Sequence, residues 1–232
     1  MPTILAIETS ADLASAALLR DDQLLVEQAT GVQTHSDAVL PMVQRLLSRG
    51  GLSLKQCDAV AFGNGPGSFT GVRTACGVVQ GLAFGSGLPV VQVSTLLAMA
   101  QTCRNACGAD EVMAILDARM GEVYWAQYRY AGGWQTVSAP ALATAQELKP
   151  QGKVQACGNG LSAYAAAFQA QEFAASGMSA VMPHAADVAH LARDAFLRGE
   201  AITAMEAQPF YLRNKVALTT SERAARAAGA AA

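Results

Sequence analysis

TILAIETSADLASAALLRDDQLLVE, residues 3–27, decides how this chain folds. The apolar run Thr3 to Ile7 ends in Glu8-Thr9-Ser10, a second apolar run spans Ala14 to Leu19, Asp21-Asp22 is a turn pair, and Leu24 to Glu27 resumes the strand pattern. Runs this short, separated by turn residues, predict three strands joined as hairpins. The period changes from Ser36 onward: Val39, Val43, Leu46 and Leu47 share one helical face, Ser36 can cap, and Gly50-Gly51 stops the helix. Pro41 sits in its early turns and should kink it or mark where regular hydrogen bonding begins.

Beyond that helix, Cys57 to Phe62 reads as a strand, Thr70 to about Gly85 as a helix, Pro89 to Val93 as a strand and Thr95 to about Cys107 as a helix. A hairpin triplet followed by right-handed crossovers predicts a mixed five-stranded sheet with helices on both faces, a ββαβαβα unit of the ribonuclease H-like kind. The pattern then restarts. Val112 to Leu116 is an apolar strand ending in Asp117, Glu122 to Tyr130 is a second, Gly132-Gly133 a turn, and Trp134 to Val137 a third. Helical and strand signals follow at Thr144 to Leu148, Val154 to Cys157, Ser162 to Phe173, Ala180 to Met182 and Ala185 to Arg198. The expectation is α/β: two tandem ribonuclease H-like domains, ββαβαβα each, the second shorter and more degenerate. The first covers 1–106 and the second 107–218, split where Asn105, Gly108 and Asp110 interrupt a helix, with 219–232 a frayed Ala-rich tail.

Composition bounds the function. Of 232 residues, 52% are hydrophobic and 15% charged, which excludes a disordered chain. A net charge of −2 leaves no cationic field to hold nucleic acid by phosphate neutralisation, so any RNA would need another grip. No stretch of 18 apolar residues escapes a charge, Gly or Pro, and MPTILAIETS lacks a signal peptide's basic start, so a cytoplasmic location without a membrane is expected. Five scattered Cys (57, 76, 103, 107, 157) fit reduced buried thiols. Cys103 and Cys107, one helical turn apart, lack the further partners that four-coordinate zinc needs.

Three features carry candidate chemistry. Glu8 and Asp117 each end the first strand of a half, and in a duplicated fold they would face each other across a cleft; the plainer alternative is a strand-end carboxylate in solvent. Gly63 to Arg73, GNGPGSFTGVR, joins a strand to a helix N-terminus, where free N–H groups favour an anion. No Lys follows its glycines, and the dinucleotide spacing fails whether counted from Gly63 or Gly65, so it is neither phosphate fingerprint. It is an anion-binding loop or a structural turn, with Thr9, Ser10, Gly65, Gly67, Ser68 and Thr70 as its residues. Last, Gly77, Gly81 and Gly85 recur every four residues on one helix. Interior Gly costs about 1 kcal/mol each relative to Ala, so the stripe needs a compensating gain, such as close approach of another helix; packing on its own sheet is the alternative.

ILAIETS at 4–10, GPGSFTGVR at 65–73, ILDARMGEVYWAQY at 115–128, GNG at 158–160 and PFYLRNKVA at 209–217 together resemble the TsaB (YeaZ) family of bacterial threonylcarbamoyladenosine synthesis. The resemblance runs almost end to end. It implies a two-domain member of the acetate kinase, sugar kinase, Hsp70 and actin superfamily that performs no transfer itself. Such a subunit partners TsaD, which with TsaB and the ATPase TsaE modifies the adenosine beside the anticodon of ANN-decoding tRNAs. ATP and metal then belong to the other subunits, this chain needs no cofactor, tRNA is met through the complex, and homodimerisation of the chain alone is left open. TsaD holds its metal through two His four residues apart, and the matching positions here are Thr95 and Met99, neither a useful ligand. His35, His184 and His190 contain no HxxxH pair. The family's partner surface falls on the helices 36–49 and 70–85, so the implied partner-binding residues are Val39, Leu40, Met42, Val43, Leu46, Leu47, Arg73, Gly77, Gly81 and Gly85. Arg73, unfavourable at a helix start, is expected to give its charge to an acidic neighbour or a partner. An ATP-dependent phosphotransferase is the runner-up, weakened by the lack of a Gly-rich phosphate signature after the second half's first strand, where ARMGE stands. A metallopeptidase is opposed by the missing HxxxH.

Overall fold

The computed structural model describes residues 1–29 and 35–213; the expected tail, and the end of the PFYLRNKVA segment, lie outside the described residues. Strands β1 (Ile4–Glu8), β2 (Ser15–Arg20) and β3 (Gln23–Gln28) form the expected hairpins, with Asp21 at positive φ in the tight turn, a conformation Asp tolerates. Then come α1 (His35–Gly50), β4 (Ala59–Gly63), α2 (Phe69–Ser86), β5 (Val90–Val93) and α3 (Thr95–Cys107). Pro41 lies inside α1. The order is βββαβαβα, the five strands expected one by one, which the ββαβαβα shorthand undercounts by one. The sheet runs β3-β2-β1-β4-β5, with β1 antiparallel to β2 and parallel to β4.

Side-chain alternation along β1 assigns its two faces. Leu5 and Ile7 join Val39, Met42, Val43 and Leu46 of α1 and Ala75, Cys76, Val79 and Ala83 of α2 in one core. Ile4 and Ala6 point to the other layer. Both faces are therefore covered and β1 and β4 are buried throughout, as a sheet with parallel crossovers requires.

A second sheet, order β8-β7-β6-β9, is built from β6 (Glu111–Asp117), β7 (Glu122–Tyr130), β8 (Trp134–Thr144) and β9 (Gln155–Cys157). The fold is thus mixed α/β with two sheets. Strand β8 runs on past Val137 because register irregularities opposite Trp125 and Gln127 let it follow β7 to its start. The signal over 162–173 yields no single helix but three one-turn pieces, α4 (Gly160–Ala163), α5 (Ala165–Phe168) and α6 (Glu172–Ala175). Leu161, Phe168 and Phe173 are their buried large side chains, and that spacing makes no continuous stripe to hold a longer helix. Residues 180–182 form no strand; Met178 makes an isolated bridge to Cys157.

The chain then recrosses. Helix α7 (Ala185–Leu197) packs Ala185, Val188, Ala189, Ala192 and Ala195 against Ile4, Ala6, Ala17, Ala59 and Ala61 of the first sheet. The Ala185 N–H donates to the buried Ser15 hydroxyl at 3.0 Å, and Ile202 bridges to Val90. Helix α7 thus adds to the core of the first sheet, where a helix of small side chains fits closely on a sheet face that is itself small.

Candidate partner-binding face and the adjoining cleft

The glycine loop between β4 and α2 is tied to the β1–β2 turn. Ser10 O accepts from Ser68 N–H at 2.7 Å, Thr9 Oγ1 donates to Gly71 O at 2.6 Å, and Ser68 Oγ caps α2 by accepting from Gly71 N–H at 3.3 Å. Thr95 Oγ1 donates to Ser10 Oγ at 3.1 Å and accepts from Gly65 N–H at 3.2 Å. A β-carbon on Gly67 would meet Ser10 O, and one on Gly71 would meet Thr9 O. The glycines thus serve a close backbone approach, and Thr9, Ser10 and Gly65 spend polar groups inside the protein, whereas Ser68 is exposed and caps its own helix. Thr70 stays exposed, its carbonyl bonded by the Thr74 hydroxyl at 3.0 Å.

Glu8 does not face Asp117 across a cleft. It is fully buried at the end of β1, its Oε1 accepts from Ser10 N–H at 2.5 Å, and its Oε2 is unpartnered against Gly63, where a β-carbon would clash. Burial raises its pKa, opposed by the Ser10 bonds and by His35 nearby. Asp117 does line a cleft of about 490 Å³ with Ser10, Asp12, His35, Arg119 and Tyr211. Its Oδ1 accepts from Tyr164 OH and Arg119 N–H, both at 2.8 Å, and Oδ2 pairs with the Arg119 side chain at 3.1 Å. Its carboxylate is thus held within its own half.

Thr95 and Met99 are fully buried, Thr95 in the loop network and Met99 against Gly158. His35 contacts Asp12 O at 3.1 Å, His184 caps α7 by accepting from Ala186 N–H at 3.1 Å, and His190 lies partly buried on α7. Among the described residues no three His, Cys, Asp or Glu converge as metal ligands.

Helices α1 and α2 share one face of the first sheet, and their outer sides form the candidate docking surface. Val39, Met42, Val43 and Leu46 cannot contribute, which corrects their assignment: they fill the chain's own core, since a sheet of small and branched residues needs those large side chains. Leu40 is 47% exposed and Leu47 half-buried. Gly77, Gly81 and Gly85 face outward, and a β-carbon on any of them would have nothing within 4 Å. Phe84 stands beside them with 77% of its surface exposed, and an apolar groove continues from it past Leu88 and Ile202 to Met205, 80% exposed. Phe84 was missed by sequence reasoning, although positions 77, 81, 84 and 85 fall on one helical face. Met205 had no local signal. Among the described residues Arg73 gives its charge to aromatic rings and not to an acid: its guanidinium carbon lies 3.6 Å from the Phe69 ring centre, and Nε donates to Tyr211 OH at 2.6 Å.

Residues 23–229 match the family model described as TsaD, tRNA N6-adenosine threonylcarbamoyltransferase. The TsaB proteins of Escherichia coli and Haemophilus influenzae, both called tRNA threonylcarbamoyladenosine biosynthesis proteins, are each 38% identical, over 92% of this chain and 96% and 94% of their own length. The chain belongs to the TsaB (YeaZ) family. Solved structures agree: YeaZ from Pseudomonas aeruginosa superposes with a TM-score of 0.81 at 37% identity, covering 91% of this chain and all of that one. A protein from the same organism, described as similar to peptidase YeaZ, superposes at 0.82 with 36% identity over 92% of this chain and all of its own. No helix among the described residues of this TsaB-family chain is long and apolar enough to cross a membrane.

Proposed function

We propose that this chain is a noncatalytic subunit that binds and supports a TsaD-like transferase in placing threonylcarbamoyl on the adenosine beside the anticodon of ANN-decoding tRNAs. The observation that carries the reading is the open stripe Gly77, Gly81 and Gly85 beside the exposed Phe84: three helical glycines that pack against nothing among the described residues, flanked by an exposed aromatic ring. Such a face loses stability in the isolated chain and recovers it when a facing helix seats closely. A TsaE-like ATPase completes the assembly, ATP and metal stay on the other subunits, and tRNA is held by the whole in the cytoplasm. The two sheets are read as two ribonuclease H-like halves, the first completed by α7.

The phosphotransferase alternative would need ATP gripped in the cleft, and its first loop is tied to the β1–β2 turn while Glu8 is sealed from solvent. A metallopeptidase would need ligands where Thr95 and Met99 are buried in the core. The deciding experiment is Gly81→Leu. The variant should melt within a degree or two of the parent, lose the TsaD-like partner in size-exclusion chromatography, and fail to restore the tRNA modification in depleted cells. A folded variant that still forms the complex normally refutes the placement of the face, and ATP turnover by the pure parent that disappears with Glu8→Gln promotes the kinase reading.

A further inference from the structure

Three of the five thiols lie together in space. Cys103 and Cys107 occupy successive turns at the end of α3, and the third member of the group, Cys157, ends β9. Cys103 is buried, its Sγ 4.0 Å from Met178 Sδ; Cys157, also buried, points its thiol at Met99 O, one turn before Cys103, at 3.8 Å. Cys107 is the exposed member and its thiol donates to Cys103 O at 3.2 Å. Four residues of helix separate their Cα atoms by about 6 Å, inside the range of roughly 4.4–6.8 Å that a disulfide spans, and their Cβ atoms by about 5–6 Å, beyond the roughly 3.5–4.5 Å it needs, so the bond requires the last turn to open. Helix α3 ends one residue later at Gly108, in the left-handed conformation, so the last turn has no following helix to hold it rigid.

We propose that Cys107 and Cys103 form a peroxide-reactive dithiol, with Cys107 the residue attacked from solvent and Cys103 the buried residue that resolves it. The Cys107 thiolate attacks one oxygen of hydrogen peroxide; the O–O bond breaks, hydroxide leaves and is protonated to water, and Cys107 becomes a sulfenic acid. The Cys103 thiolate then attacks Cys107 Sγ, the S–O bond breaks, a second water is released and the disulfide forms. Two thiols lose two electrons and two protons, and one peroxide becomes two waters. Exposure makes Cys107 the thiol that peroxide reaches, while the neighbourhood sets how readily each thiol ionises. A hydrogen bond from Cys157, with another from Cys107, holds the Cys103 pKa below the ordinary thiol value against its burial. Hydrogen bonding to Cys103, then burial, pushes Cys157 well up and keeps it a thiol. Cys107 is raised, first by burial and then by Cys103, so its attack should be slow and should quicken with pH.

The experiment treats the full chain with hydrogen peroxide, blocks remaining thiols, digests with trypsin and reads the peptides by mass spectrometry. Arg104 lies between the two cysteines, so trypsin places them on separate peptides and the disulfide joins residues 74–104 to 105–119. Conversion of the exposed Met205 to its sulfoxide reports that the dose was sufficient. The expected product is the joined pair through Cys103, two hydrogens lighter than its parts, lost in Cys107→Ser and retained in Cys157→Ser. A Cys103–Cys157 link, Cys107 oxidised to sulfinic acid without a link, or unmodified Cys107 at that dose would each overturn the proposal.

Discussion

Gly67 and Gly71 lie four residues apart, and so do Gly77, Gly81 and Gly85, yet the two sets do opposite things. The first pair presses α2 and its loop onto the backbone of Thr9 and Ser10, while the second set faces away from the protein with empty space above it. The gap between the sets is six residues, which at 3.6 residues per turn carries the chain about 240° round the helix. One helix therefore presents a closely packed edge to its own sheet and a smooth edge to the outside. Equal spacing says that small residues share a face, and only the neighbouring element says what that face is for.

The sharpest way to break this contrast is Gly71→Ala. A methyl group there meets a backbone oxygen that cannot rotate aside, so the loss of stability should reach about 3 kcal/mol, the upper part of the overpacking range. Gly67→Val, against Ser10 O, should follow at roughly 1–3 kcal/mol. Melting both variants checks the claim, and an undiminished Gly71→Ala would mean that the loop and the β1–β2 turn are not in contact.

Glu8, sealed by the same loop, makes the next largest test. Its pKa is raised on folding, so above the ordinary carboxylate range the native state keeps a proton that the unfolded chain has already released. Its contribution is therefore most favourable at low pH and is lost as pH rises through the folded value. Asp187, also raised by burial, adds a slope of its own, so the difference between parent and variant isolates Glu8. Glu8→Gln should flatten the fall in stability as pH rises above the ordinary carboxylate range, measured by denaturant unfolding at a series of pH values. Equal slopes would place a compensating group beside Glu8. The smallest effect belongs to the outer set: Gly77→Ala or Gly85→Ala should stabilise the isolated chain by up to about 1 kcal/mol, because Ala is the better helix former and nothing crowds it. Destabilisation there would show that this face is covered.

What could be read without the structure follows from local period. The three opening hairpin strands, the strand–loop–helix around Gly67, the strand at Glu122–Tyr130 and the helix from Ala185 all rest on patterns within about a dozen residues, and each stands within a residue or two of where those patterns put it. The apolar side of α1 was legible too, but its purpose was not: Val39, Met42, Val43 and Leu46 are used by the sheet below, which leaves Leu40 and part of Leu47 outside. Glu8 read as a cleft carboxylate because a strand end is usually wet, and it is dry because a loop more than fifty residues later folds over it. The breakup of 162–173 escaped because Ala-rich helix propensity without a continuous buried stripe does not sustain a long helix.

By itself the sequence determined the elements of the first sheet, their order, the hairpin triplet that recurs and the motifs that place the chain in its family, because backbone period and turn chemistry act between near neighbours. Tertiary structure alone decided which side each face turns to: that α7 closes the first sheet and not the second, that the Gly67 and Gly71 edge is buried, and that the Gly77, Gly81 and Gly85 edge is bare beside Phe84. Those outcomes depend on contacts between residues far apart in the chain, where the size of one surface selects the partner that can approach it.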